Sequence, residues 1–175
     1  MVSITKATIA DIPVIRGLAM QVWPQTYTPI VGEEQVAYML QLFYSPAALE
    51  QQMEQGHQFI ICCSEGSHIA FAAWSETERG IAKLHKLYIL PGQQGKGIGR
   101  SMLNYITEEL KAQGITALRL NVNRYNHSAI AFYEKVGFTH YMDEDIDIGN
   151  GYFMNDHVLS KSLIPALSQG EGEAE

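Results

Sequence analysis

The stretch Leu84-His85-Lys86-Leu87-Tyr88-Ile89-Leu90-Pro91-Gly92-Gln93-Gln94-Gly95-Lys96-Gly97-Ile98-Gly99-Arg100-Ser101-Met102 decides the fold. Its first half is apolar and partly β-branched, and it breaks at Pro91-Gly92, which reads as a strand and its end. Glycines then alternate at 95, 97 and 99, and Ile98, Met102, Leu103, Ile106 and Leu110 recur at helical spacing. A strand that feeds a glycine-rich turn and then a helix is suited to an anion. The first helical turn has unpaired N–H groups and the positive end of the dipole, and glycine lets backbone approach a phosphate closely. Lys96 and Arg100 add positive charge at the same place, so a phosphate or pyrophosphate ligand is expected.

The loop fails two common phosphate patterns. A Walker loop would need glycine where Leu90 stands and Ser or Thr where Gly97 stands. A dinucleotide fingerprint started at Gly97 has Met102 in place of its last glycine, and started at Gly95 it has Arg100 there. The pattern that fits is Gln94-x-x-Gly97-x-Gly99 directly after Leu87-Tyr88-Ile89, and it resembles the acetyl-CoA pyrophosphate loop of the GNAT N-acetyltransferases. Further along, Asn126-His127-Ser128-Ala129-Ile130-Ala131-Phe132-Tyr133-Glu134-Lys135-Val136-Gly137-Phe138 is similar to a second segment of the same family, in the family's order. The resemblance covers roughly residues 3 to 162.

Working outward, Ser3 to Thr8 reads as an opening strand. Asp11 and Pro13 then start a helix, with Ile12, Ile15, Leu18, Ala19 and Val22 on its apolar face. Trp23-Pro24 is expected to end that helix and leave a loop through Ile30. A second helix is expected from about Glu33 to Phe43, and a third, short one begins at Pro46 after Ser45. Strands follow at 58–64, 67–77 and 81–90, joined at Glu65-Gly66 and Arg79-Gly80. The helix after the glycine loop stops near Gln113-Gly114. Strand 115–122, helix 126–136 and a closing antiparallel pair around Gly149-Asn150-Gly151 complete the order. That order matches the α/β (α+β) GNAT fold. The resemblance implies a mixed, mostly antiparallel sheet of about seven strands, splayed between strands 4 and 5 and flanked by helices.

The length suits one domain, taken as residues 1–164, with an acidic tail at 165–175 expected to be disordered. Net charge is −7, and three of the acids (Glu171, Glu173, Glu175) lie in that tail. An acidic chain is a poor nucleic-acid partner and suits a cationic acceptor, although plain solubility explains the charge equally well. No apolar run approaches the ~20 residues of a membrane span, and no signal pattern opens the chain, so a cytoplasmic location without membrane contact is expected. Cys62 and Cys63 are adjacent on a strand and point to opposite faces, which makes them poor disulfide partners. No Cys/His spacing suggests a zinc site, and no metal is expected.

The resemblance also implies roles. Acetyl-CoA would be the co-substrate, with direct attack by the amine and no acyl-enzyme. Leu87, Tyr88 and Ile89 would offer strand backbone to the pantetheine and acetyl groups. Gln94, Gly95, Lys96, Gly97, Ile98, Gly99, Arg100 and Ser101 would hold the pyrophosphate. Asn126, with Ser128 beside it, either bonds the pantetheine arm or simply caps its helix. Tyr133 matches the family tyrosine near the coenzyme A sulfur, where a phenol can protonate the leaving thiolate; an ordinary core tyrosine is the alternative. Lys135 matches a lysine near the phosphate end. Many family members carry a glutamate on the fourth strand as base, but none lies between Ile81 and Leu90 here. His85, alternating with Leu87 and Ile89, is the candidate base.

Trp23, Tyr27, Glu33 and Glu34 are the acceptor-site candidates, since aromatic faces and carboxylates suit a cation. The segment Gly151–Leu159 resembles a bacterial polyamine (spermidine/spermine) acetyltransferase subgroup. The leading expectation is acetyl transfer to a primary amine of a small cationic acceptor such as a polyamine. The alternatives are a protein N-terminus, a lysine, an amine antibiotic, or a coenzyme A-binding module without catalysis. Homodimers are common in the family, and nothing in these residues decides it.

Overall fold

The computed structural model describes residues 1–165, which form seven strands and five helices around one sheet. The strands are β1 Val2–Lys6, β2 Gln58–Ser64, β3 Ser67–Glu78, β4 Ile81–Ile89, β5 Ala117–Asn123, β6 Thr139–Gly149 and β7 Tyr152–Ser162. The helices are α1 Ile12–Val31, α2 Glu33–Tyr44, α3 Pro46–Glu54, α4 Ile98–Ala112 and α5 His127–Lys135. The sheet runs β1-β2-β3-β4-β5-β7-β6, and every pair is antiparallel except β4–β5.

The β4–β5 pair sets up the site. It is closed only from Ile81–Ala117 to Leu84–Leu120, and beyond that point the two strands part. The splay expected between strands 4 and 5 is therefore present. The freed halves, His85–Ile89 and Asn121–Asn123, turn unused backbone groups into the gap.

Each sheet face has its own core. Leu84, Met102, Ile106, Leu118 and Leu120 pack under α4 and α5. Ile15, Trp23, Val36, Leu49 and Phe71 pack under α1–α3. The turns agree with their residues: Glu65 and Gly66 both take positive φ, which a two-residue hairpin with matching twist requires. Ser45 caps α3 by accepting from the Ala48 N–H at 3.2 Å.

One helix boundary differs from expectation. α1 does not stop at Trp23-Pro24 but continues through Pro24 and Pro29 to Val31. Both prolines lie on the exposed side, as do Met20 and Gln25, whose carbonyls lose their helical donors and can turn to water. The opposite side packs inward: Trp23 and Tyr27, one turn apart, meet with tilted rings whose centroids are 4.5 Å apart, and Trp23 also meets Tyr44 and Tyr88. Burial of that aromatic stripe outweighs the ~3 kcal/mol a helical proline costs.

α2 is tied to the closing hairpin. The Tyr38 hydroxyl donates to the Ile148 carbonyl at 2.6 Å, and Gln35 Nε2 donates to the Phe153 carbonyl at 2.9 Å. These bonds wall one side of a cavity between α1–α2 and the sheet. No helix among the described residues is long and apolar enough to cross a membrane. The acidic-tail expectation falls, beyond Pro165, outside the described residues.

Candidate active site

Two clefts open on either side of the β4–β5 gap and meet there. The larger, about 450 Å³, runs along the freed end of β4, the glycine loop and the start of α5. Leu87, Tyr88, Ile89, Gln94, Gly95, Gly97, Ile98, Gly99, Arg100, Asn126, Ser128, Tyr133 and Lys135, all named from sequence, line it. Gly95 and Gly97 take φ of 79° and 78°, and Gly97 is the N-cap of α4. The N–H groups of Ile98, Gly99 and Arg100 belong to the first turn and have no acceptor within the helix. Gly99 is required for a second reason: a Cβ there would meet the Phe132 ring at 2.9 Å.

Lys96 and Ser101 do not line this cleft. Lys96 turns away and donates to Gln93 Oε1 at 3.2 Å. The Ser101 N–H is spent inside the helix on the Gly97 carbonyl at 3.0 Å. Of the two sequence alternatives for Asn126, the helix cap is the one observed. Its Oδ1 accepts from the Ala129 N–H at 3.3 Å as a helix cap, and the residue also lines the cleft.

The smaller cleft, about 280 Å³, lies under α1, α2 and the closing hairpin. Trp23 and Tyr27 line it, as expected. Glu33 and Glu34 do not: they sit exposed in the first turn of α2, where their charge favours the helix dipole. The carboxylate lining this cleft is Asp156 of β7. It is 5% exposed and receives a hydrogen bond from Asn121 Nδ2 at 3.2 Å, and the same amide donates to Glu144 at 2.9 Å. Burial raises the Asp156 pKa, with the Asn121 hydrogen bond acting the other way. Sequence reasoning missed Asp156; its signal, an acid at an inward position of the last strand, becomes readable only with the β5–β7 register that pairs it with Asn123.

Residues common to both clefts are Tyr27, Leu84, His85, Lys86, Tyr88 and Asn121, and they mark the junction. The Tyr27 and Tyr88 hydroxyls lie 3.0 Å apart, and burial raises both phenol pKa values. Tyr133 lines the larger cleft and not the smaller. Burial raises its pKa too, so its phenol keeps its proton. Among the described residues no side chain hydrogen-bonds its hydroxyl.

His85 is not where strict alternation puts it. Leu84 pairs with Trp74 and Lys86 with Ala73, so β4 carries one extra residue, His85, against β3. This bulge breaks the period of two. Leu84, Leu87 and Ile89 face the α4–α5 core, while His85 and Lys86 both face the smaller cleft. The assignment of His85 to the face of Leu87 and Ile89 is thereby corrected. Its Nε2 lies 2.7 Å from Ser75 Oγ and its ring stacks on His57 at 4.0 Å. Burial, then the charges of His57, Lys83 and Lys86, push its pKa down to about 3. It stays neutral and is a weak base.

His140, Asp143 and His157 on β6 and β7 bring three donor atoms within 4.8 Å of one another, but they line neither cleft. His140 and His157 both approach Asp143 Oδ1, which satisfies the group internally.

A splayed sheet with a glycine-rich helix N-terminus on one side of the gap and an aromatic cleft on the other defines an acyl-transfer scaffold. The GNAT acetyltransferase family profile matches residues 19–138, and the chain belongs to that family. It is an N-acetyltransferase. An N-acetyltransferase of Mycobacterium tuberculosis is 24% identical over 89% of this chain and its own full length. A spermidine N(1)-acetyltransferase of Thermoplasma acidophilum is 28% identical, over 78% of this chain and 88% of that protein. The crystal structure of the PaiA N-acetyltransferase of Thermoplasma acidophilum in complex with coenzyme A superposes with a TM-score of 0.80 at 26% identity, covering 93% of this chain and 99% of that one. The ribosomal-protein-S18-alanine N-acetyltransferase of Escherichia coli, at 19% identity and a TM-score of 0.72, shares the fold.

Proposed function

We propose that the protein transfers an acetyl group from acetyl-CoA directly to a primary amine of a small molecule held in the smaller cleft. The observation that carries this reading is the meeting of the two clefts at the β4–β5 gap, lined by the backbone of His85–Ile89. The larger cleft supports coenzyme A binding: the glycine loop and first turn of α4 suit the pyrophosphate, and Asn126 suits the pantetheine arm. The solved neighbour with coenzyme A bound supports the same assignment.

The amine nitrogen attacks the thioester carbonyl, the C–N bond forms, the C–S bond breaks and coenzyme A leaves as a thiolate. Freed β4 N–H groups are suited to stabilise the developing oxyanion. Tyr133, kept protonated by burial, supplies a proton to the thiolate. Asp156 takes the role first assigned to His85: it draws the acceptor's ammonium into the cleft and receives its proton. His85, neutral and held by Ser75 and His57, shapes the junction.

The spermidine N(1)-acetyltransferase relative makes a polyamine one acceptor to be tested beside other small amines. The test is coenzyme A release from acetyl-CoA in the presence of spermidine, spermine, putrescine, amino acids, aminoglycosides and a lysine peptide. Saturable turnover with any of them supports acetyl transfer. Silence with all of them, alongside measurable acetyl-CoA binding, favours a binding module without catalysis.

A further inference from the structure

The smaller cleft holds a charge that the acetyl-transfer reading does not use. Lys86 is only 8% exposed, and it lines both clefts. Its Nζ lies over the rings of Tyr44 at 5.0 Å and Phe59 at 5.9 Å. Among the described residues no carboxylate lies within ion-pair reach of it, and no side chain accepts a hydrogen bond from it. Cation–π contact offsets only part of the cost of burying an ammonium without an anion. Lys83, on the same strand face, lines the same cleft and has no ion-pair partner among the described residues. Asp156 stands on the β7 wall. The cleft is thus bipolar, with two lysines on its β4 wall and one lining acid across from them.

That lining is ill suited to a polyamine, whose several ammonium groups would meet Lys83 and Lys86. It suits a molecule that brings its own anion. Building on the acetyl-transfer reading, we propose that the acceptor carries an oxyanion group, a carboxylate or a phosphate, close to its reacting amine, and that Lys86, backed by Lys83, binds that group. The amine then faces Asp156 and the gap, while the anion lies on the open side of the Lys86 ammonium, away from the Tyr44 and Phe59 rings and toward Lys83. The β4 bulge makes the site, since it turns Lys86 to the same face as Lys83 and His85. Burial and the charge of Lys83 hold the Lys86 pKa down to about 8, and a bound anion would raise it.

The test uses the protein loaded with acetyl-CoA for turnover, and with coenzyme A for calorimetric titration. Three sets of amines are compared: amino acids of different length, phosphoethanolamine, and the anion-free ethanolamine, putrescine and spermidine. The expected result is a kcat/KM at least tenfold higher for one anionic set than for the anion-free set. The first two sets tell carboxylate from phosphate. Lys86→Met should remove most of that advantage, mainly through KM, with thermal unfolding showing that the variant is folded. Lys83→Met should remove less. Preference for the anion-free set, or an anionic preference untouched by Lys86→Met, would overturn the proposal. Lys86-dependent binding of an anionic amine without acetylation would support the subsite and overturn acetyl transfer to that amine. Polyamine turnover that exceeds turnover of both anionic sets would overturn the subsite and keep the enzyme.

Discussion

Ser75 Oγ and His85 Nε2 lie 2.7 Å apart across β3 and β4, which places His85 on the α1–α3 face of the sheet. Leu84 and Leu87 on either side of the bulge belong to the opposite core. The contact marks the point where β4 changes register, just where it also leaves β5. One strand thereby lines the larger cleft with its freed backbone and the smaller cleft with the side chains of Lys83, His85 and Lys86.

His85 makes stability depend on pH. Its pKa falls from 6.5 unfolded to about 3 folded, so the unfolded state binds the extra proton between those values. The contribution is present above pH 6.5 and is lost as pH falls toward 3. His57, Lys83 and Lys86 face the same group and work in the same direction. Denaturant titrations of wild type and His85→Gln between pH 7 and 4 should show the wild type losing of order 2–3 kcal/mol more than the variant.

Lys86→Met should stabilise the protein while impairing use of an anionic acceptor. Replacing an unpaired buried ammonium by an apolar chain of similar length is expected to add roughly 1–3 kcal/mol at pH 7. The folded pKa near 8 lies below the unfolded 10.5, so the penalty is full below pH 8 and fades as pH rises toward 10.5. Stability curves at pH 7 and pH 10 should therefore converge for the two proteins.

Gly99→Ala tests the packing of the glycine loop. The new Cβ would sit 2.9 Å from the Phe132 ring and 3.4 Å from Ile89 Cδ1. Overpacking of this kind costs about 1–3 kcal/mol. Because Gly99 lies in the first turn of α4, coenzyme A affinity should fall with stability. Pairing Gly99→Ala with Phe132→Leu should recover part of both in calorimetry.

Asp156→Asn should lower kcat for the best amine by about 100-fold. Coenzyme A affinity should be unchanged, since Asp156 lines only the smaller cleft. The loss should shrink at high pH, where the amine arrives already neutral.

Much of this was legible in the chain. The apolar periodicities and turn residues give the order of elements along the chain, the glycine loop and the Asn126–Phe138 segment give the family resemblance, and thirteen of the residues named from it sit together in one cleft. Proline at 24 misled because a local breaking signal was outweighed by tertiary burial of Trp23 and Tyr27. Alternation misled at His85 because a bulge is a property of two strands together and leaves no mark in one. Glu33 and Glu34 looked like acceptor ligands by charge alone, whereas Asp156 and Lys86 gain their meaning from β4, β7, α1 and α2 lining one cleft together.

The central claim is that an acetyl group crosses the β4–β5 gap to an amine while Tyr133 protonates the departing thiolate. The most direct test is coenzyme A release with a saturating amine, measured for wild type and Tyr133→Phe beside their coenzyme A affinities. The account predicts a fall in kcat of about 100-fold or more with affinity changed by less than about threefold. Equal kcat in the two proteins would contradict it.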